Sequence, residues 1–177
     1  MKKKFFIVLF SILFFSNLAY AKVIVVKANP DKGFNFPYLL KASKKTLDAK
    51  YLIVESNNTG NEPTTKAMII AGKRSLNHVY GNIIAKKLNY PLLMPVIPFA
   101  SVDMEEDLKE TLPNSWDKWK YYFTQLDSDS LKIDNDKYKR IDLQLIAMID
   151  DAREKLLKEN NQSINDKVIM IGYASSS

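Results

Sequence analysis

Short apolar runs rich in β-branched residues alternate along this chain with stretches of helical periodicity, and a chain of that kind can bury both only in an α/β arrangement. Val23-Ile24-Val25-Val26 reads as a first strand, and Asn29-Pro30-Asp31-Lys32-Gly33 as a turn. A second strand is expected over Phe34 to Leu40, and a buried one at Tyr51-Leu52-Ile53-Val54. From about Thr64 to Leu88 the pattern is helical, with Ala67, Ile70, Ala71, Val79, Ile83, Ile84 and Leu88 recurring at three- and four-residue spacing. Leu92 to Pro98 gives another strand, in which Pro95 marks a weak point or a bulge. The clearest helix begins near Arg140, where Ile141, Leu145, Met148, Ile149, Ala152 and Leu156 form one apolar face; Asn160 and Asn161 end it. Lys167-Val168-Ile169-Met170-Ile171 is the last strand. Strands separated by long helices favour a mostly parallel sheet with right-handed crossover helices. Between them, about 100–137 reads as an irregular insertion holding Trp116, Trp119, Tyr121, Tyr122 and Phe123 among many charges.

The first 21 residues stand apart. Lys2, Lys3 and Lys4 precede an apolar run from Phe5 to Phe15, and Ala19-Tyr20-Ala21 follows. That is the layout of a secretory signal peptide, with small side chains where the peptidase cleft requires them, so cleavage is expected after Ala21. The expected location is the periplasm or the exterior, with membrane contact only through this segment if it is left uncleaved. Cleavage removes three of the 26 basic residues, leaving 26 − 3 = 23 against 20 acidic ones, so the net charge falls to +3. Lys44-Lys45 and Lys86-Lys87 are too scattered for a nucleic-acid groove. With no cysteine and one histidine, disulfides, thiolate chemistry and a structural zinc site are not expected, nor is any cofactor. Residues 22–177 are of a length suited to one domain.

Two places carry candidate chemistry. The Tyr51–Val54 run stops abruptly at Glu55-Ser56-Asn57-Asn58-Thr59-Gly60, a loop at the carboxyl end of a buried strand. The last strand runs into Gly172-Tyr173-Ala174-Ser175-Ser176. This pattern resembles G-x-S-x-G, the nucleophile elbow of α/β-hydrolases, in which small residues flank a strained strand-to-helix turn. Arg140 to Arg153 looks like the helix before the elbow in secreted, polyhydroxybutyrate-depolymerase-like esterases of that superfamily. Val54 to Gly60 is similar to their loop after the third strand, Leu92 to Pro98 to their next strand, and Tyr122 to Asp127 to part of the insertion that follows.

The resemblance implies a partial α/β-hydrolase fold over 22–177, truncated after the elbow strand. It also implies a small-molecule ester as substrate of an intact form, and an oxyanion role for backbone N–H groups of Asn57, Asn58, Thr59 and Gly60. Two departures bear on activity. The nucleophile position is Ala174, whose methyl group cannot attack a carbonyl, and Ser175 or Ser176 could replace it only if the turn shifted register. In the family, the acid and the histidine of the triad follow the elbow, whereas His78 precedes it, on the first long helix. No complete catalytic set is therefore expected, and a non-catalytic secreted or envelope binding protein is the alternative. A sheet edge left exposed beyond the elbow strand would favour a partner or self-association. Asp127, Asp129, Asp134 and Asp136 lack the glycine and glutamate of a calcium loop and read as solvated. The aromatic cluster reads as packing for the insertion or as a lid over an acyl pocket.

Overall fold

The computed structural model describes residues 23–42, 49–55, 62–97, 103, 106, 135–161 and 163–172. The expected signal segment, the candidate residues Asn57 to Gly60, the aromatic residues between Trp116 and Phe123 and the residues from Tyr173 onward lie outside that set, as do Asp127, Asp129 and Asp134. The strands are β1 (Val23–Val26), β2 (Tyr38–Lys41), β3 (Leu52–Glu55), β4 (Leu92–Pro95) and β5 (Val168–Ile171). The helices are α1 (Thr65–Ser75), α2 (Tyr80–Leu88) and α3 (Ile141–Asn160). The strands form one sheet in the order β1-β2-β4-β3-β5, an α/β architecture as the alternation requires.

The sheet is mixed, where the sequence pattern favoured a mostly parallel one. β1 and β2 pair antiparallel, and so do β2 and β4; β3 pairs parallel with both β4 and β5. The physical reason lies between β1 and β2. A parallel connection needs a crossover of a dozen or more residues, and this link is a compact turn instead. Asn29 and Phe34 exchange backbone hydrogen bonds of 2.9 and 3.2 Å around a 3-10 turn at Pro30–Lys32. Gly33 closes the turn with φ 89°, where any other residue would be strained. The second strand is accordingly shorter than expected, starting at Tyr38. β4 ends at Pro95, which fits the missing N–H of proline at the end of a ladder.

Side chains alternate across the sheet and build two apolar layers. On one side Val26, Phe34, Phe36, Tyr38, Leu40, Leu52, Val54 and Leu93 pack with Tyr138 and with Met148, Ile149, Ala152 and Leu156 of α3. This is the face read from the helical spacing, and each fully buried aliphatic side chain there contributes roughly 1.5–3 kcal/mol. On the other side Leu39, Ile53, Leu92, Met94 and Val96 pack with Met68 and Leu76 from the α1 region and Ala85 of α2. Helices before and after β4 thus cover opposite faces.

The single helix expected from Thr64 to Leu88 is two helices. After Leu76 the backbone turns through Asn77 and His78, whose N–H donates to Ser75 O at 2.7 Å, and α2 starts after Val79. Asn89 and Asn161 end α2 and α3 in the left-handed conformation, each returning its N–H to a helix carbonyl.

Two polar residues within the apolar stripe of α3 tie it to the β1–β2 hairpin. The buried Gln144 accepts from Asn35 N–H at 2.8 Å and donates to the carbonyls of Lys137 and Lys139, both at 2.9 Å. The buried Asp151 accepts from the Tyr38 hydroxyl at 2.7 Å and pairs with Lys32 Nζ at 2.6 Å. Lys32 also reaches Glu154 at 2.6 Å.

Candidate functional site

In an open sheet with helices on both faces, the carboxyl ends of two adjacent parallel strands whose connections leave in opposite directions form a natural crevice. β3 and β5 are adjacent and parallel; the connection that leaves β3 is described, and the one that leaves β5 lies outside the described residues. The two strands pair in parallel from Leu52 opposite Val168 to Glu55 opposite Ile171, so the loop after β3 and the residues after β5 leave the sheet side by side. From β3 the chain passes to α1 and α2 on one face; it arrives at β5 from α3 on the other. Of the candidate elbow residues, Gly172 is described and is exposed immediately beyond β5, while Ala174, Ser175 and Ser176 lie outside the described residues. The candidate oxyanion residues Asn57, Asn58, Thr59 and Gly60 lie outside them as well.

The groups that line this end of the sheet are ones the sequence pattern did not single out. Glu55 turns inward, and its Oε2 accepts the Gly81 N–H at 2.8 Å, so a carboxylate from β3 caps α2. Val79, the residue at the cap position, offers no side-chain hydrogen bond. A larger residue at 81 would force the Glu55 carboxylate to move, because a Cβ there would collide with it and approach Leu92 Cδ1 to 3.1 Å. Next to it the fully buried Asn82 accepts from Lys41 Nζ at 2.6 Å, while its amide nitrogen has no partner among the described residues. The N-terminus of α1 is treated in the same way. Asp103, from the chain after β4, accepts the Thr65 N–H at 2.6 Å, beside Thr64 bonding Ala67 N–H at 3.1 Å. Hydrogen bonds from the Thr65 side chain and then from its backbone N–H hold the Asp103 carboxyl below its ordinary value.

Burial has the opposite effect on Glu55, raising its carboxyl above the ordinary 4.5, with the Gly81 and Tyr80 backbone N–H groups opposing the shift. A carboxyl raised in the folded state penalises folding when ionised, so the penalty is complete above the folded value and is relieved as pH falls toward 4.5. The stability difference between wild type and Glu55→Gln isolates this effect from acidic groups that are shifted downward elsewhere. Wild type is expected to gain on the variant as pH falls from neutrality to 4.5 and to gain nothing further below it. Urea unfolding across that range checks this, and a difference independent of pH would contradict it.

His78, expected on a helix, lies exposed on the turn before α2. Among the described residues no group of three His, Cys, Asp or Glu side chains is placed to hold a metal ion. The one sequence signal for Glu55 was its position, an acid closing a run of buried residues on the inward parity of the strand. Asp103 carried no signal, because its partner lies 38 residues away. The chain matches no family model, no curated protein and no solved structure.

Proposed function

We propose that this is an exported α/β-hydrolase-like protein, related to serine ester hydrolases, that binds a small ester or its acid at the carboxyl ends of β3 and β5 without acyl transfer at residue 174. One observation carries the reading: β3 and β5 are parallel neighbours with Glu55 opposite Ile171, and in the sequence the candidate oxyanion and elbow residues follow shortly after those two strand ends. That adjacency is what a shared oxyanion site and nucleophile elbow require. The reversal of strand order around β3, with β4 on one side and β5 on the other, supports the same place for a ligand. The Glu55 and Asp103 contacts support a firm base for the loop after β3, since both helices that follow it are fixed at their starts.

At the apex, Ala174 supplies a methyl group where the acyl-enzyme route needs an oxygen nucleophile, and the site is left with binding and no acylation. The purified chain is expected to give no turnover of p-nitrophenyl butyrate above buffer, with Ser175→Ala and Ser176→Ala indistinguishable from it. Butyrate, followed by amide NMR, is expected to shift Gly172 and Glu55 and to leave α3 unmoved. Turnover lost on changing Ser175 or Ser176 would return catalysis to the chain. No shift at either amide would remove the ligand site.

A further inference from the structure

The outward surface of the α1–α2 layer combines two properties that soluble surfaces usually keep apart. It is apolar: on α2 the exposed side chains include Tyr80 at 64%, Ile83 at 55%, Ile84 and Leu88, and on α1 they include Ile70. The charged side chains of the two helices are also all basic, with Asp103 from the chain after β4 docked at the start of α1. From residue 63 to residue 102 the sequence contains no acidic residue, and Lys66, Lys73, Arg74, Lys86 and Lys87 all stand exposed on these two helices. None of the five makes an ion pair among the described residues. Helical spacing mixes the two kinds of side chain, because Lys87 lies four residues after Ile83 and seven after Tyr80 and so rises among them.

The α3 side provides a contrast within the same molecule. Its exposed Leu143, Ile146 and Leu157 stand among Asp142, Asp150, Glu154 and Glu159 as well as basic residues. Exposed apolar side chains alone therefore do not distinguish the α1–α2 layer; their company does.

We propose that the α1–α2 layer docks on the surface of a membrane containing anionic lipids, with Tyr80, Ile83 and Leu88 entering the headgroup boundary and the lysines and Arg74 reaching the phosphates. The bilayer interface takes both kinds of group at once. Long basic side chains lay their stems along the apolar zone and keep their charges at the headgroups, while neighbouring apolar side chains sink between them. A nucleic acid would meet the charges but leave Ile83 and Leu88 in water. Among the described residues no helix is long and apolar enough to cross a membrane, so the contact is with the surface. The inference is independent of residue 174 and of any ester chemistry.

Because the chain has no cysteine, a single environment-sensitive fluorophore can be placed without ambiguity. Full-length Ile83→Cys labelled in this way is expected to shift to the blue on vesicles of phosphatidylglycerol mixed with phosphatidylcholine, and to stay unshifted on phosphatidylcholine alone. Leu157→Cys, labelled on α3, carries the same N-terminal apolar segment and is expected to stay unshifted on both. Neutralising Lys73→Gln or Lys87→Gln is expected to weaken the Ile83 response about fivefold per charge. Equal responses at 83 and 157, no response at 83, or affinity unchanged by either glutamine would overturn the proposal. So would a shift at 83 that grows with protein concentration in the absence of vesicles, which would assign the surface to a second copy of the chain.

Discussion

Replacing Gln144 by glutamate is expected to cost the fold about 4 kcal/mol at neutral pH, read from the midpoint of urea unfolding at unchanged slope. The wild-type amide uses both of its ends. Its oxygen takes the Asn35 N–H, and its nitrogen serves the carbonyls of Lys137 and Lys139. A carboxylate keeps the first bond and sets a charged oxygen against two carbonyl oxygens in a buried position, so two bonds become repulsions. Protonation returns one donor, and the deficit is therefore expected to shrink as the buffer is made acid. Leucine, which removes the polar group without adding charge, is expected to lose less than glutamate does. Equal losses for the two substitutions would mean that filling the space matters more than the pattern of donors and acceptors.

Asp151→Ala is expected to cost about 3 kcal/mol, mainly through loss of the buried Tyr38 bond. The carboxylate is almost wholly enclosed, and without it the buried Tyr38 hydroxyl has no other partner among the described residues. Burial, followed by the bond to Asp151, is what pushes the tyrosine hydroxyl far above its usual titration range. Lys32 adds to the pair from the half-exposed side, its ammonium held protonated by Asp151 and then Glu154, but water screens that contribution. Tyr38→Phe is expected to lose about 2 kcal/mol, and the double variant less than the two losses added, because both changes remove the same bond. A double-mutant cycle by urea unfolding measures this directly, and strict additivity would show that the 2.7 Å contact contributes no coupling.

Local pattern made much of this legible in advance. The strands at Val23, Leu52, Leu92 and Val168 follow apolar runs, and the buried face of α3 follows from three- and four-residue spacing, because both depend on residues close together in the chain. Strand direction was less accessible. The hairpin between β1 and β2 depends on Asn29 and Phe34 closing a turn, and that choice reverses β2 against β4. Pairings such as Asn35 with Gln144 or Lys32 with Asp151 span more than 100 residues, and each partner on its own reads as an ordinary surface residue. A signal existed all the same: Gln144 and Asp151 both interrupt the apolar stripe of α3, and a polar residue there needs a partner. At the candidate site, apolar patterning located β3 and β5, whereas the capping of α2 by Glu55 arises only from folding.

The position of β4 in the sheet sets an order in time. Both of its neighbours, β2 and β3, precede it in the chain, so neither can gain its partner until Leu92–Pro95 has been synthesised. Before then the early segments can form the β1–β2 hairpin and little else, because an isolated hairpin of four-residue strands is marginal in water. Long-range pairing of this kind slows folding, since loop closure has to be met before the contacts that reward it are made. A polypeptide that cannot close its sheet early stays slack for longer, which is the state that threading through a pore would require if the first residues act as the export signal they resemble.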